Sequence, residues 1–163
     1  MTTTRTTTSR HLRRGTSDPT IMVGFDGTSS SWDALCWASG EATRLRGRVV
    51  AVFVSPEWPD GMLAAVSAMS WASCTYPLFE VEQGRMAELL ESEVRRYSTS
   101  QIVRIEFVHL RGDPVSELVE LAQQTEADLI VVGRSKAVRH RVAGSVGRRL
   151  TSKQLAPVTV VVP

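Results

Sequence analysis

Residues 129–163 carry seven Lys or Arg and no Asp or Glu. Inside that stretch an apolar run at 129–132 leads into Gly133, and a loop with Ser135, Lys136, Arg139 and Arg141 follows. Gly144, Ser145 and Val146 then open a helix. A buried strand feeding a glycine, cations and a helix start suits an anion. The first amides of a helix lack partners within it, the macrodipole is positive there, and cations add to both. Glycine after a strand lets backbone approach a ligand closely. Ser145 can cap the helix and donate its hydroxyl at once, and Lys136, Arg139 and Arg141 can neutralise phosphates. The same residues also fit a solvated basic loop, with Gly144 serving chain geometry alone.

Asp26 is the second chemical candidate, directly after the apolar run 20–25. Its carboxylate can accept hydrogen bonds from a ribose or an adenine edge. Asp-Gly is equally a turn pair, and Asp can simply cap the next helix. Other chemistries lack their parts. Gly133-Arg-Ser135-Lys-Ala137 looks like a nucleophile elbow, yet its fifth residue is Ala and no Asp or Glu follows Ser135. The chain has no Gly-x-Gly-x-x-Gly after the first strand and no Gly-x4-Gly-Lys-Ser/Thr. No carboxylate pair is poised for Mg²⁺, so fast phosphoryl transfer lacks its usual residues. His11, His109 and His140 are far apart, and Cys36 and Cys74 form no Cys-x-x-Cys, so no metal site is expected.

The elements that must hold these residues alternate. Strands are expected at 20–25, 48–54, 102–110, 129–132 and 158–162, and helices at 31–46, 78–97 and 145–155, with a further helix that starts at Asp113-Pro114 and has Val115, Leu118, Val119 and Ala122 on its inner face. Ser29, Ser30 and Ser31 supply N-caps for the first helix, and Gly47 ends it. Asp113 caps a later helix that has Pro114 at its first position. Val81, Met86, Leu89, Leu90 and Val94 form one side of the helix between. Residues 55–76 are hardest to place. Met62 to Ala72 fit a short apolar helix, and Trp58, Met62, Leu63, Met69 and Trp71 concentrate apolar surface there. Strands apolar throughout are buried on both faces. The order therefore predicts a three-layer α/β/α fold on a five-stranded parallel sheet, with ligands at the carboxyl ends of the strands.

The chain has 163 residues, is 42% hydrophobic and 22% charged, which fits one soluble domain. Residues 1–18 read as a disordered basic tail of four Arg and one Asp, and 19–163 as the folded domain. The tail holds +3 of the formal +2, so the folded part sums to −1, and nucleic acid is not an expected partner. No apolar run is long enough for a membrane helix or shaped like a secretory signal. The expected location is the cytoplasm, with both thiols free.

Three segments resemble the universal stress protein family: 21–30 (IMVGFDGTSS), 112–122 (GDPVSELVELA) and 127–133 (ADLIVVG), the last continuing through Gly144, Ser145 and Val146 to 156–162. The resemblance covers 20–163. It implies a Rossmann-like fold with a five-stranded parallel sheet, related to adenine nucleotide alpha hydrolases. It also implies a homodimer paired through the strand from Val158 to Val162. Some members bind ATP or AMP through Gly-x2-Gly-x9-Gly-Ser/Thr after strand four. Carried over by match, the site residues are Asp26, Val54 for backbone contacts to adenine, Gly133, Gly144, Ser145 and Val146, and Ser135 and Lys136 of the basic loop are further binding candidates beside them in the chain. Mg²⁺ would enter only with ATP. The chain departs from the pattern, since Lys136 occupies the second glycine position and the loop is two residues short. The implied role is a stress-response nucleotide sensor and not a turnover enzyme. The alternative is a dimeric interaction module of the same fold that has lost the nucleotide.

Overall fold

The computed structural model describes residues 18–57, 75–134, 146–153 and 157–161. Its strands are β1 (Thr20–Gly24), β2 (Arg48–Ser55), β3 (Arg104–Arg111), β4 (Leu129–Gly133) and β5 (Val158–Val161). Its helices are α1 (Ser29–Leu45), α2 (Thr75–Ser98), α3 (Pro114–Gln124) and α4 (Val146–Lys153). One five-stranded sheet runs in the order β3-β2-β1-β4-β5, and every pairing is parallel. The expected α/β architecture is therefore the one observed.

Period-two alternation divides each strand between two cores. Ile21 and Val23 face Leu35, Ala38 and Ala42 of α1 and Leu90 and Val94 of α2. Met22 faces the other way, with Val50, Val52 and Ile130, onto Val115, Leu118 and Ala122 of α3 and Leu150 of α4. Both sides of the central strands are thus dry, which is why their sequences are apolar without alternation.

Local details correct several expectations. Thr28 caps α1, and the serines after it form the first turn. The reason is Asp26, whose Oδ1 accepts from the Thr28 N–H at 3.0 Å and from its hydroxyl at 2.6 Å. This Asx turn delivers Thr28 in extended geometry, and its Oγ1 accepts from the Ser31 N–H at 3.3 Å. At the other end Arg46 takes the left-handed conformation (φ 56°), and the Gly47 N–H donates to the Ala42 carbonyl at 2.8 Å. Gly47 answers a different need, since a Cβ there would lie 2.3 Å from the Pro19 carbonyl oxygen. On α2 the inward residues are Ala87, Leu90 and Val94, while Val81 and Leu89 are 55% and 60% exposed and Met86 is exposed as well. β3 begins at Arg104, not at Ile102, which is 94% exposed.

Asp113 caps α3, accepting from the Ser116 N–H at 3.0 Å, with Pro114 first in the helix as expected. The basic tail at 1–17, the apolar segment 58–74 with Trp58, Met62, Leu63, Met69 and Trp71, and Cys74 lie outside the described residues. Among the described residues no helix is long and apolar enough to cross a membrane.

Candidate functional site

Strand order reverses at β1, whose neighbours are β2 on one side and β4 on the other. In open parallel sheets the crossovers leave such a point in opposite directions, and ligands bind there at the strands' carboxyl ends. Asp26 stands just past β1, exposed, and Gly133 closes β4. The two strands are in register at Gly24 and Val132, so Gly133 is one step beyond the last β1 partner. β2 outruns β1. Their register ends at Gly24 and Val52, and the Phe25 N–H still donates to the Val52 carbonyl at 2.8 Å. Backbone groups two residues apart on a strand point the same way. The polar backbone of Val54 therefore faces the space past β1, while its half-buried side chain packs with the second core.

Gly133 has a packing reason of its own. A Cβ there would lie 2.2 Å from the Ser30 carbonyl oxygen and 2.9 Å from the Ser31 nitrogen. The first turn of α1 thus lies directly across the end of β4. That turn, the Asx turn at Asp26 and the tip of β4 form one wall. Val146, half-buried, begins α4 against the second core. Of the residues proposed from sequence, Asp26, Val54, Gly133 and Val146 lie within the described residues. Ser135, Lys136, Gly144 and Ser145 lie outside them, as do Arg139 and Arg141.

One cation of the acid-free segment is committed to the protein. Arg149 of α4 donates through Nη1 to Asp113 Oδ1 and through Nη2 to Oδ2, each at 3.1 Å. Desolvation at the helix start works to raise the Asp113 carboxyl. The Arg149 bonds and those from the Ser116 N–H and hydroxyl outweigh it, holding the carboxyl below its ordinary value. In the sequence Asp113 is legible only as a cap. Its pairing with Arg149 has no signal in local sequence, because the partners sit on different helices.

A second cluster also escaped the sequence. Buried Ser55, last in β2, lies with its Oγ 2.9 Å from His109 Nε2 on β3. The imidazole stacks on Phe53 at 5.4 Å between ring centroids, with planes 22° apart. Phe53 and His109 are register partners, and only the register reveals the pair. Burial and then the Arg111 charge push the His109 pKa below 6.5. Between that lowered value and 6.5 the unfolded chain binds more protons. Stability from this group is complete above 6.5 and is lost as pH falls through the window. Replacing His109 with Gln should therefore flatten the melting temperature between about pH 7.5 and about pH 5.5, a range that brackets ordinary His titration. Parallel curves for the two proteins would show that His109 is not held neutral. Among the described residues no group of three or more His, Cys, Asp or Glu could hold a metal ion.

Comparison with known proteins agrees with this architecture. The sequence model of the universal stress protein family matches residues 19–162. A universal stress protein of Methanocaldococcus jannaschii is 29% identical over 143 residues, covering 86% of this chain and 80% of the relative. One from Mycobacterium tuberculosis is 31% identical over 143 residues, covering 86% of this chain but 44% of the relative, so the chain spans less than half of that protein. Among solved structures, a universal stress protein in complex with cAMP superposes with a TM-score of 0.62 at 23% identity, over 90% of this chain and 98% of the other. An Arabidopsis thaliana family member with AMP bound gives a TM-score of 0.57 at 15% identity, over 88% and 90%. With a family match that spans nearly the whole described domain and a parallel sheet of the same fold, this chain belongs to the universal stress protein family.

Proposed function

We propose that this chain is a cytoplasmic stress-response protein that binds an adenine nucleotide, AMP or ATP, as a sensor. The observation that carries the reading is that exposed Asp26, just past β1, and Gly133, the last residue of β4, follow the carboxyl ends of adjacent strands where the sheet order reverses. Asp26 would hold the ribose; its Oδ1 already serves the Thr28 turn, so the carboxylate is fixed in direction. The β2 backbone at Val54 would meet the base. Gly144 and Ser145, together with Ser135 and Lys136 of the same sequence segment, would meet the phosphates. Mg²⁺ would accompany ATP only. Fold relatives that carry cAMP and AMP support the choice of an adenine ligand.

Binding to the folded state alone stabilises it by mass action, about 2.7 kcal/mol at one hundred times Kd. AMP at about 1 mM should therefore raise the melting temperature by several degrees. Asp26→Ala should weaken AMP about tenfold, a loss in line with one hydrogen bond to a charged group. An unchanged melting temperature in AMP and in ATP rules out the sensor.

One observation favours a second reading. Lys136 stands where nucleotide-binding members carry glycine, in a loop two residues short. On that reading the chain is a dimeric interaction module without nucleotide. Its edge strand β5, from Val158 towards Val162 with Val160 exposed, would pair two copies. Freshly purified protein separates the two readings. The sensor carries adenine nucleotide on chromatography; the module carries none and shows a dimeric mass by light scattering.

A further inference from the structure

Gly112 and Asp113 join two elements that the nucleotide reading assigns to opposite ends of the ligand. The Gly112 N–H donates to the Ser55 carbonyl at 3.0 Å, one residue beyond Val54, the position assigned to the base. Gly112 sits at φ 137°, and a Cβ there would lie 2.6 Å from Glu117 Oε1, so the turn demands glycine. Asp113, next in the chain, grips α4 through both guanidinium nitrogens of Arg149 at 3.1 Å each. α4 opens at Val146, next in the chain after Gly144 and Ser145, which the nucleotide reading assigns to the phosphates.

α4 has eight residues, too few to hold a direction without tertiary contacts. Leu150 anchors one face in the second core. On Gly147 a Cβ would lie 2.9 Å from Val160 Cγ2, so the helix lies flush on β5. With Val146 against the same core, these apolar contacts decide which face is down but supply no directional bond. A two-point fork onto a carboxylate that itself accepts from the Ser116 N–H and hydroxyl adds that direction.

We propose that the Gly112–Asp113 turn and Arg149 form a positioning clamp. It sets the span between the base-holding end of β2 and the phosphate-holding start of α4. The clamp thereby favours phosphorylated adenine nucleotides over adenosine. This rests on the nucleotide reading above. Asp113 and Arg149 act through α4 and are positioning residues, not contacts to the ligand.

The pair is half-exposed, with side-chain exposures of 47% for Arg149 and 41% for Asp113, so removing it leaves the fold intact. Asn at 113 keeps a cap acceptor for α3 while removing the charge. The test is calorimetric titration of AMP and of adenosine into the full chain and into Asp113→Asn, Arg149→Met and Arg149→Lys. AMP affinity should fall about tenfold in the Asn and Met variants, near the low end of ordinary coupling between sites, while adenosine affinity changes less than about twofold. Arg149→Lys keeps the charge without the fork and should not restore AMP binding. Full AMP affinity in the Lys variant would mean simple attraction by charge and would overturn the clamp. Tighter AMP binding in Asp113→Asn would mean that a released Arg149 touches phosphate, and would overturn it as well. Native protein that binds AMP alongside variants that bind it equally well refutes the clamp alone. Native protein that binds neither ligand refutes the nucleotide reading and the clamp with it.

Discussion

Gly133→Ala should destabilise the domain by about 3 kcal/mol, the upper part of the usual range for overpacking. The new Cβ would meet the Ser30 carbonyl oxygen at 2.2 Å and its carbon at 2.4 Å. Both are backbone atoms of α1, so no side-chain rotation relieves the clash. Either the first turn of α1 lifts from the sheet or β4 shifts away from β1. Each route disturbs the wall that carries Asp26, so AMP binding should fall together with stability. Urea denaturation measures the first effect and calorimetry the second. Gly40 is the internal control. It is exposed within α1 with nothing within 4 Å of its Cβ position, and Ala there should stabilise by about 0.5–1 kcal/mol. A Gly133→Ala midpoint indistinguishable from the native one would mean that α1 does not lie across the end of β4.

Leu35→Ala should cost about 3 kcal/mol, within the range measured for buried leucine truncations. Leu35 is fully buried, on the face of α1 that meets Ile21, Val23 and Val131. Helix and sheet are both rigid there, so the vacated volume closes poorly and the cavity adds to the lost transfer free energy. The same truncation at Leu89, which is 60% exposed, should cost under about 0.5 kcal/mol. The two are the same residue type within helices, and burial distinguishes them. Equal losses at the two positions would place α2 with a different face towards the sheet.

The legible part of this chain was local. Apolar runs without alternation, separated by helical periods, are enough to predict a parallel sheet between helix layers, and the Gly112-Asp113-Pro114 helix start follows from capping chemistry alone. The Asp26 turn was legible as a turn. That Thr28 and not a serine caps α1 was not, because the choice depends on how the Asp26 side chain reaches two residues forward. On α2 the side named from sequence, Val81, Met86, Leu89, Leu90 and Val94, covers too wide an arc to be one buried face. The position of the helix against β2 and β3 selects Ala87, Leu90 and Val94 and leaves Val81, Met86 and Leu89 outside.

From its residues alone the chain determines its element order, its doubly buried strands and the presence of glycine, aspartate and cations at strand ends. Periodicity, caps and turns act within a few residues, so they can be read along the chain. The tertiary structure alone decides the sheet order that sets the ends of β1 and β4 side by side, the crossing of α1 over β4, the Ser55–His109 pair and the partner of Arg149. Each of these is a contact between segments far apart in sequence, set by strand register and helix packing, and no local pattern encodes where such segments meet.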